Sequence, residues 1–222
     1  MEEAHLKIPS HIVDAKGGCK KYMPKFLDNL EERSDDKRSN DLSLALPQQI
    51  NNAKENSTAF GKILKDVDAG EIKSPRDLAK LPVLRKSELV RLQAEDAPLG
   101  GLITGSVQDL NQIFQSPGPI YEPGMVKKDW WRSARALNAA GIGKGDIVQN
   151  CFSYHFTPAG MLSEQGILAV GATVFPAGTG QTELQARAAS EIGVTAYIGV
   201  PDFLQIILDK GDELGLDLSK VK

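Results

Sequence analysis

Residues 147–208, IVQNCFSYHFTPAGMLSEQGILAVGATVFPAGTGQTELQARAASEIGVTAYIGVPDFLQIIL, decide the fold of this chain. Short runs rich in β-branched and aromatic residues predict strands at 147–152, 171–176 and 194–198. Helical patterns lie between these strands, and a further helical pattern begins at Pro201, after the last strand. Because such alternation requires right-handed crossovers, it predicts a parallel sheet with helices on its faces. We therefore predict an α/β fold built on a three-layer parallel βαβ sheet.

The region before this alternation has a helical and irregular pattern. We predict a helical amino-terminal region over 1–108 and an α/β subdomain over 109–222. Apolar residues recur at helical spacing over 42–64, and we place the start of that helix near Pro47, because proline is tolerated only in a first turn. The charge run at 31–38 is typical of a solvated loop or helix end. Residues 126–140 predict a further helix.

The composition argues against several classes of protein. The chain has 222 residues, of which 41% are hydrophobic and 25% charged, as in an ordinary globular protein. Its net charge of -3 gives no electrostatic case for nucleic acid or an anionic membrane as the partner. The first residues lack a signal-peptide pattern, and no apolar run approaches the ~20 residues of a membrane span. Cys19, Cys151 and three scattered histidines form no metal-ligand spacing, so we expect a cytoplasmic protein without a metal site.

The stretch at 111–123, NQIFQSPGPIYEP, combines a short strand with a turn rich in glycine and proline. A glycine-rich loop that follows a strand is a common binding site for a nucleotide phosphate in α/β proteins. Two interpretations stay open, a phosphate loop and a structural turn from one strand to the next. Both concern the same residues, which are Ser116, Gly118, Pro119, Tyr121, Glu122 and Pro123.

Ligands bind parallel sheets outside the carboxyl ends of the strands. Glycine, aromatic and hydroxyl side chains follow the first two predicted strands, as expected at the lip of a pocket. The candidates are Tyr154, His155, Phe156 and Thr157 after the first strand, and Gly178, Gly180, Gln181 and Thr182 after the second. A packed loop residue is the alternative for the histidine, and helix capping is a further role for 178–182. No pattern identifies a catalytic base or nucleophile.

Three stretches carry a resemblance to a known family: DLAKLPV with KSEL at 77–89, AGIGKGDIV at 140–148, and GATVFPAGTGQTE at 171–183. From about residue 40 onward the chain resembles the amino-terminal half of the phenylacetate–CoA ligases, within the adenylate-forming acyl-CoA synthetase (AMP-binding) superfamily. The resemblance implies a ligase that makes an acyl adenylate from ATP and an aromatic or other small carboxylic acid. Transfer of the acyl group to CoA follows, with Mg²⁺ assisting. It also implies that 154–156 shape the acid pocket.

The phosphate loop departs from the family pattern Ser-Ser-Gly-Thr-Thr-Gly-Lys-Pro. Laid on 116–123 without gaps, three positions agree, namely Ser116, Gly118 and Pro123. Pro119 lacks an N–H donor, and Glu122 stands where the family has a lysine, so a triphosphate would meet a negative charge. Each lost charge-assisted hydrogen bond removes roughly 1.5–3 kcal/mol. The resemblance thus implies a nucleotide scaffold whose binding of the triphosphate is weakened.

The family continues beyond the motifs present here, with motifs for adenine and ribose and a mobile carboxy-terminal domain. We expect a fragment that is inactive by itself and binds ATP, Mg²⁺ and CoA weakly at best. Its sheet should have an open edge, which favours a homodimer. The alternative from a different class is a non-catalytic homologue that binds an acyl or aryl ligand, or a partner protein, and has lost the ATP chemistry.

Overall fold

The computed structural model describes residues 26–221, and Cys19 lies outside this range. The described chain divides into two compact units by its internal contacts. The hairpin unit comprises 28–130 and 153–162, and the sheet unit comprises 26–27, 131–152 and 163–221. These contact units do not test the predicted domain boundary between residues 108 and 109, which stays a prediction. Over the same described range, no helix is both long enough and apolar enough to cross a membrane.

The amino-terminal region is helical, as predicted, with α1 (Asp35–Asn56), α2 (Thr58–Ile63) and α3 (Lys86–Glu95). The predicted start near Pro47 is wrong, because α1 begins at Asp35 inside the charge run. The hydroxyl of Ser34 caps it by accepting a hydrogen bond from the backbone N–H of Lys37 at 3.2 Å. Pro47 removes one backbone bond from α1, and burial of the apolar side of α1 around Ile50 offsets that loss.

A hairpin of two antiparallel strands follows the helical region. It consists of β1 (Gln112–Ser116) and β2 (Ile120–Gly124), with Ser116 opposite Ile120 and Phe114 opposite Glu122. Side chains alternate between the two faces of a strand. On this hairpin Phe114 and Ile120 share the buried face, whereas the opposite face carries the half-exposed Tyr121.

The sheet unit contains a parallel sheet in the order β4-β3-β5, with β3 (Ile147–Asn150), β4 (Thr173–Phe175) and β5 (Ala196–Ile198). Val148 lies opposite Val174 on one side and Ala196 on the other. The prediction of parallel strands joined by helical crossovers is therefore confirmed. Within the described sheet β4 and β5 are the edge strands.

Four helices accompany this sheet: α4 (Ala134–Ala139), α5 (Ala159–Ala169), α6 (Thr182–Ile192) and α7 (Pro201–Glu213). On one face Val148 packs with Leu137 of α4 and Ile167 of α5. On the other face lies a cluster that includes Ala186 of α6 and Ile207 of α7. Helices therefore cover both faces of the sheet, and the predicted three-layer α/β fold is confirmed.

The helix predicted over 126–140 is wrong in its first half. The α-helix there is only α4, from Ala134 to Ala139. Asp129 and Arg132 have φ angles of 50° and 59°, in the left-handed region. A residue in that region cannot continue a right-handed helix, so the chain turns twice before α4 begins.

Candidate functional site

The turn at 117–119 joins β1 to β2 directly, since Ser116 and Ile120 are paired across the hairpin. The interpretation of this stretch as a strand-to-strand turn describes its backbone correctly. Its role in binding phosphate is a separate question and stays a prediction. Gly118 and Pro119 lie in the turn itself, whereas Tyr121, Glu122 and Pro123 lie on β2.

Ser116 and Glu122 bind each other across the hairpin. The Ser116 hydroxyl donates a hydrogen bond to the Glu122 carboxylate, and this contact is partly buried. The proton that this hydroxyl could give to a phosphate oxygen is therefore already used. A triphosphate would have to replace the carboxylate as acceptor and come close to its negative charge.

Residues 154–157 lie in the hairpin unit, beside β1. The Gln115 N–H donates to the carbonyl oxygen of Phe156 at 2.9 Å. Phe156 has a φ of 59°, and 78% of its surface is exposed. A bulky residue in the left-handed region is uncommon and costs energy. The structure thus brings two predicted sets together, the hairpin residues and the segment around Phe156.

The neighbours of Phe156 are held in a tight turn. The His155 N–H donates to the Ser153 hydroxyl at 3.1 Å, and the Thr157 N–H donates to the His155 carbonyl at 2.6 Å. The Tyr154 ring lies against Gly160, where a Cβ atom would come within 2.9 Å of it. His155 is exposed, and its role in binding a ligand stays a prediction.

The second predicted set, Gly178, Gly180, Gln181 and Thr182, lies in the sheet unit at the carboxyl end of β4. Three of these residues have left-handed φ angles: Gly178 at 67°, Gly180 at 77° and Gln181 at 53°. As predicted for this segment, the N-cap position of α6 lies within it, at Gln181, although the Gln181 side chain makes no capping hydrogen bond. A Cβ atom at either glycine would meet nothing within 4 Å, so this turn borders open space.

A buried glutamine pair that sequence reasoning missed holds this turn. The Gln185 side-chain nitrogen donates to the carbonyls of Gly178 at 3.0 Å and Gly180 at 2.8 Å. Its oxygen accepts from Gln149 Nε2 at 2.6 Å and from Cys151 Sγ at 2.9 Å. Gln149 and Gln185 are 2% and 4% exposed. The only sequence signal was a polar residue within the predicted β3, and a glutamine there also fits an exposed strand face.

Cys151 follows β3 beneath this network and is unsuited to be a nucleophile. Burial raises the pKa of its thiol to about 11, so the thiolate is scarce at neutral pH. Burial, with the thiol as neighbour, also raises the pKa of Tyr197. The Tyr197 hydroxyl donates to the Val200 carbonyl at 2.9 Å. Among residues 26–221 no three acidic, histidine or cysteine side chains form a group that could hold a metal ion.

The chain is similar in sequence to curated CoA ligases and similar in fold to solved ones. No family model matches the chain. It is 26% identical over 203 residues to the phenylacetate–coenzyme A ligase of Aromatoleum evansii, which covers 87% of this chain and 45% of that protein. It is 27% identical over 153 residues to that of Pseudomonas putida, covering 66% of this chain and 34% of the relative. The resemblance to the phenylacetate–CoA ligases is confirmed.

Solved structures with a similar fold are acid–CoA ligases. An open conformation of 2-hydroxyisobutyryl-CoA ligase, in complex with 2-HIB-AMP and CoA, superposes with a TM-score of 0.75 at 20% identity and covers 84% of this chain and 43% of that one. The thioesterification state of the same ligase gives 0.78 at 18% identity, covering 91% and 46%. At these identities the likeness shows the fold alone. The chain spans less than half the length of the relatives that it matches.

Proposed function

We propose that the protein carrying this chain is an ATP-dependent acid–CoA ligase. It would adenylate an aromatic or other small carboxylic acid and then transfer the acyl group to CoA. The observation that carries the proposal is the similarity to phenylacetate–CoA ligases along 87% of the chain. The superposition on an acid–CoA ligase that holds an acyl adenylate and CoA supports it.

Roles for the candidate residues follow from this proposal. Residues 154–157 contact the acid, and the exposed His155 binds its carboxylate. The hairpin turn, with Ser116 and Gly118, contacts the phosphates. The turn at 178–182 is a ligand-binding loop of the sheet unit. No nucleophile is needed, because the acid supplies the attacking carboxylate and the protein supplies positioning and charge neutralisation. We also place the protein in the cytoplasm, as a homodimer, without nucleic acid or a membrane as partner.

The hairpin does not fit a triphosphate as an ordinary phosphate loop does. Pro119 offers no N–H, and the Glu122 carboxylate holds the Ser116 hydroxyl. This pair favours the second candidate, a homologue that binds an acyl or aryl ligand and has lost the ATP chemistry. Mg²⁺ and ATP therefore belong to the proposal through the family resemblance and not through a site among the described residues.

Pyrophosphate release separates the two candidates. The natural gene product is incubated with Mg²⁺, ATP, CoA and each of a panel of aromatic and short-chain carboxylic acids. Acid-dependent pyrophosphate release with formation of the acyl-CoA is the expected result. Calorimetric binding of an acid or its CoA ester, without ATP binding or pyrophosphate release, would overturn the ligase proposal and leave the binding protein.

Two variants test the reasoning about the hairpin. Glu122→Lys restores the family's cation, so it should tighten ATP binding at least tenfold, because an unfavourable contact of about 1 kcal/mol becomes a favourable one. Glu122→Gln should give a smaller gain. Glu55→Gln removes an exposed carboxylate on α1 and serves as the matched control, with unchanged binding. Equal ATP affinity in all three would show that the carboxylate does not face the nucleotide.

A further inference from the structure

At one pair of opposite residues, both strands of the hairpin form hydrogen bonds to other parts of the chain. Gln115 and Tyr121 lie opposite each other on β1 and β2. The backbone N–H of Gln115 donates to the Phe156 carbonyl, and the peptide groups of Tyr121 bind the side chain of Gln93. In an antiparallel ladder such outward groups belong to a pair that does not bond to itself, so they are free to bind other elements.

Gln93 binds the Tyr121 backbone as a neighbouring strand would. Its Nε2 donates to the Tyr121 carbonyl at 2.7 Å, and its Oε1 accepts from the Tyr121 N–H at 2.8 Å. Both functions of one amide are thus used on a single residue of β2. Two simultaneous bonds fix the orientation of that residue as well as its distance.

The position of Gln93 on α3 is unusual for a buried residue. It is the buried residue of this helix, at 8% exposure, whereas Val90 on the same helix is 42% exposed. A helix that only needed to pack would bury its apolar residues. Burial of an amide requires that its polar atoms be satisfied, and Tyr121 satisfies both.

We propose that Gln93 is a positioning residue for the proposed reaction. It fixes the Tyr121 peptide, and therefore the adjacent Glu122 carboxylate with its partner Ser116, at a set distance from the segment around Phe156. This inference rests on the proposed function of the hairpin and of 154–157. Gln93 acts through the backbone of β2 and is not assigned any contact with substrate.

The contact on the opposite edge supports this role. The Phe156 carbonyl is tied to β1, and the same residue is kept in the left-handed region with its ring exposed. A strained backbone persists where its surroundings hold it. The hairpin therefore lies between two anchors, one on α3 and one on the predicted acid-binding segment. Release of the first anchor should loosen the hairpin at the second.

Hydrogen exchange tests the two anchors without any assay of activity. Gln93→Met keeps the size of the side chain and removes both bonds. We expect the Tyr121 amide to exchange at least tenfold faster, and the Gln115 amide, which bonds to Phe156, to exchange at least threefold faster. Arg91→Met, an exposed substitution on the same helix, is the matched control and should change neither rate. Faster exchange confined to Tyr121 would overturn the positioning role.

Gln93→Glu supplies a readout that a simple loss of packing would not move. The ionised carboxylate accepts from the Tyr121 N–H but repels its carbonyl, whereas the protonated acid can donate to that carbonyl as the amide does. Since the bond from the Tyr121 N–H persists in both states, the readout is the Gln115 amide across the hairpin, whose protection relative to wild type at the same pH should be lower at pH 8 than at pH 4. A ratio that does not depend on pH would contradict the two-bond geometry.

Activity gives the third readout in the natural gene product. In Gln93→Met, kcat for acid-dependent pyrophosphate release should fall at least tenfold at saturating acid and ATP, measured on folded protein. Wild-type kcat in that variant would overturn the inference and leave the ligase proposal intact. If wild type itself releases no pyrophosphate with any acid, the ligase proposal fails. The exchange rates of Tyr121 and Gln115 then decide the positioning role alone.

Discussion

Substitution of Gln185 by methionine is the most informative test of how the sheet unit is held together. The change keeps the length of the side chain and removes four hydrogen bonds, to Gly178, Gly180, Gln149 and Cys151. It therefore separates the polar network from packing.

The size of the effect follows from what each former partner does next. The Gln149 amide is 2% exposed and has no route to water, so its lost bond costs about 1–3 kcal/mol. The half-buried Gly178 carbonyl adds about 1 kcal/mol. Gly180 is exposed and can bind water instead, and a thiol is a weak donor. We expect Gln185→Met to lower the free energy of unfolding by about 2–4 kcal/mol.

Urea denaturation followed by circular dichroism measures this loss. Gln205→Met is the matched control, because Gln205 is an exposed glutamine on α7, and its cost should stay within about 0.5 kcal/mol. The double variant Gln149→Met/Gln185→Met should cost less than the sum of its single variants, since no buried amide is then left without a partner. A Gln185→Met protein as stable as the Gln205→Met control would refute the reasoning.

Three further predictions concern the core, an acidic side chain and the buried thiol. Ile167→Ala should lower the free energy of unfolding by about 2–5 kcal/mol, because Ile167 is 0% exposed, whereas Leu168→Ala, at a residue 55% exposed, should cost little in the same urea titration. Hydrogen bonds from the Ser74 hydroxyl and the Lys73 N–H lower the pKa of Asp77 to about 2. Ionised Asp77 therefore stabilises the fold at pH values above 3.8, its pKa in the unfolded chain, and this contribution is lost as the pH falls through about 2. The stability difference between wild type and Asp77→Asn should therefore be constant above about pH 5 and shrink below pH 4, and a difference that grows on acidification would contradict the assignment. In a variant without the other cysteine, alkylation of Cys151 at pH 8 should be at least about 100-fold slower in the folded protein than in urea, because burial raises the pKa of the thiol from 9.0 to about 11. Equal rates would show that the thiol is exposed to solvent in the folded protein.

The sequence by itself determined the α/β part of this protein. The alternation of strands and helices between 147 and 213 follows from the spacing of apolar residues along the chain. That spacing, two residues in a strand and 3.6 in a helix, does not depend on distant residues. The order of strands and helices was therefore predictable, and parallel pairing followed from the length of the crossovers. The resemblance to the phenylacetate–CoA ligases could also be recognised from the sequence, because its motifs are continuous stretches.

Only the tertiary structure decided where two of the predicted helices begin. The local rule for proline placed the start of a helix near Pro47, but α1 begins earlier, at Asp35, and burial around Ile50 stabilises the helix that contains this proline. The apolar spacing over 126–140 predicted one helix, but Asp129 and Arg132 take left-handed conformations that local propensity does not reveal. At Pro47 the burial set by other parts of the fold offsets a local cost of about 3 kcal/mol.

The candidate site divides in the same way. Ser116, Glu122 and the segment around Phe156 could be chosen from sequence, because they lie in a turn that follows a strand and beyond the carboxyl end of another strand. Gln93 and Gln185 could not be chosen, since Tyr121 lies 28 residues from the first and Gln149 lies 36 residues from the second, and an isolated glutamine carries no signal of its own. A side chain's chemistry is fixed by the sequence, but the polar group that it meets is fixed only when the chain folds, because hydrogen bonds act over about 3 Å.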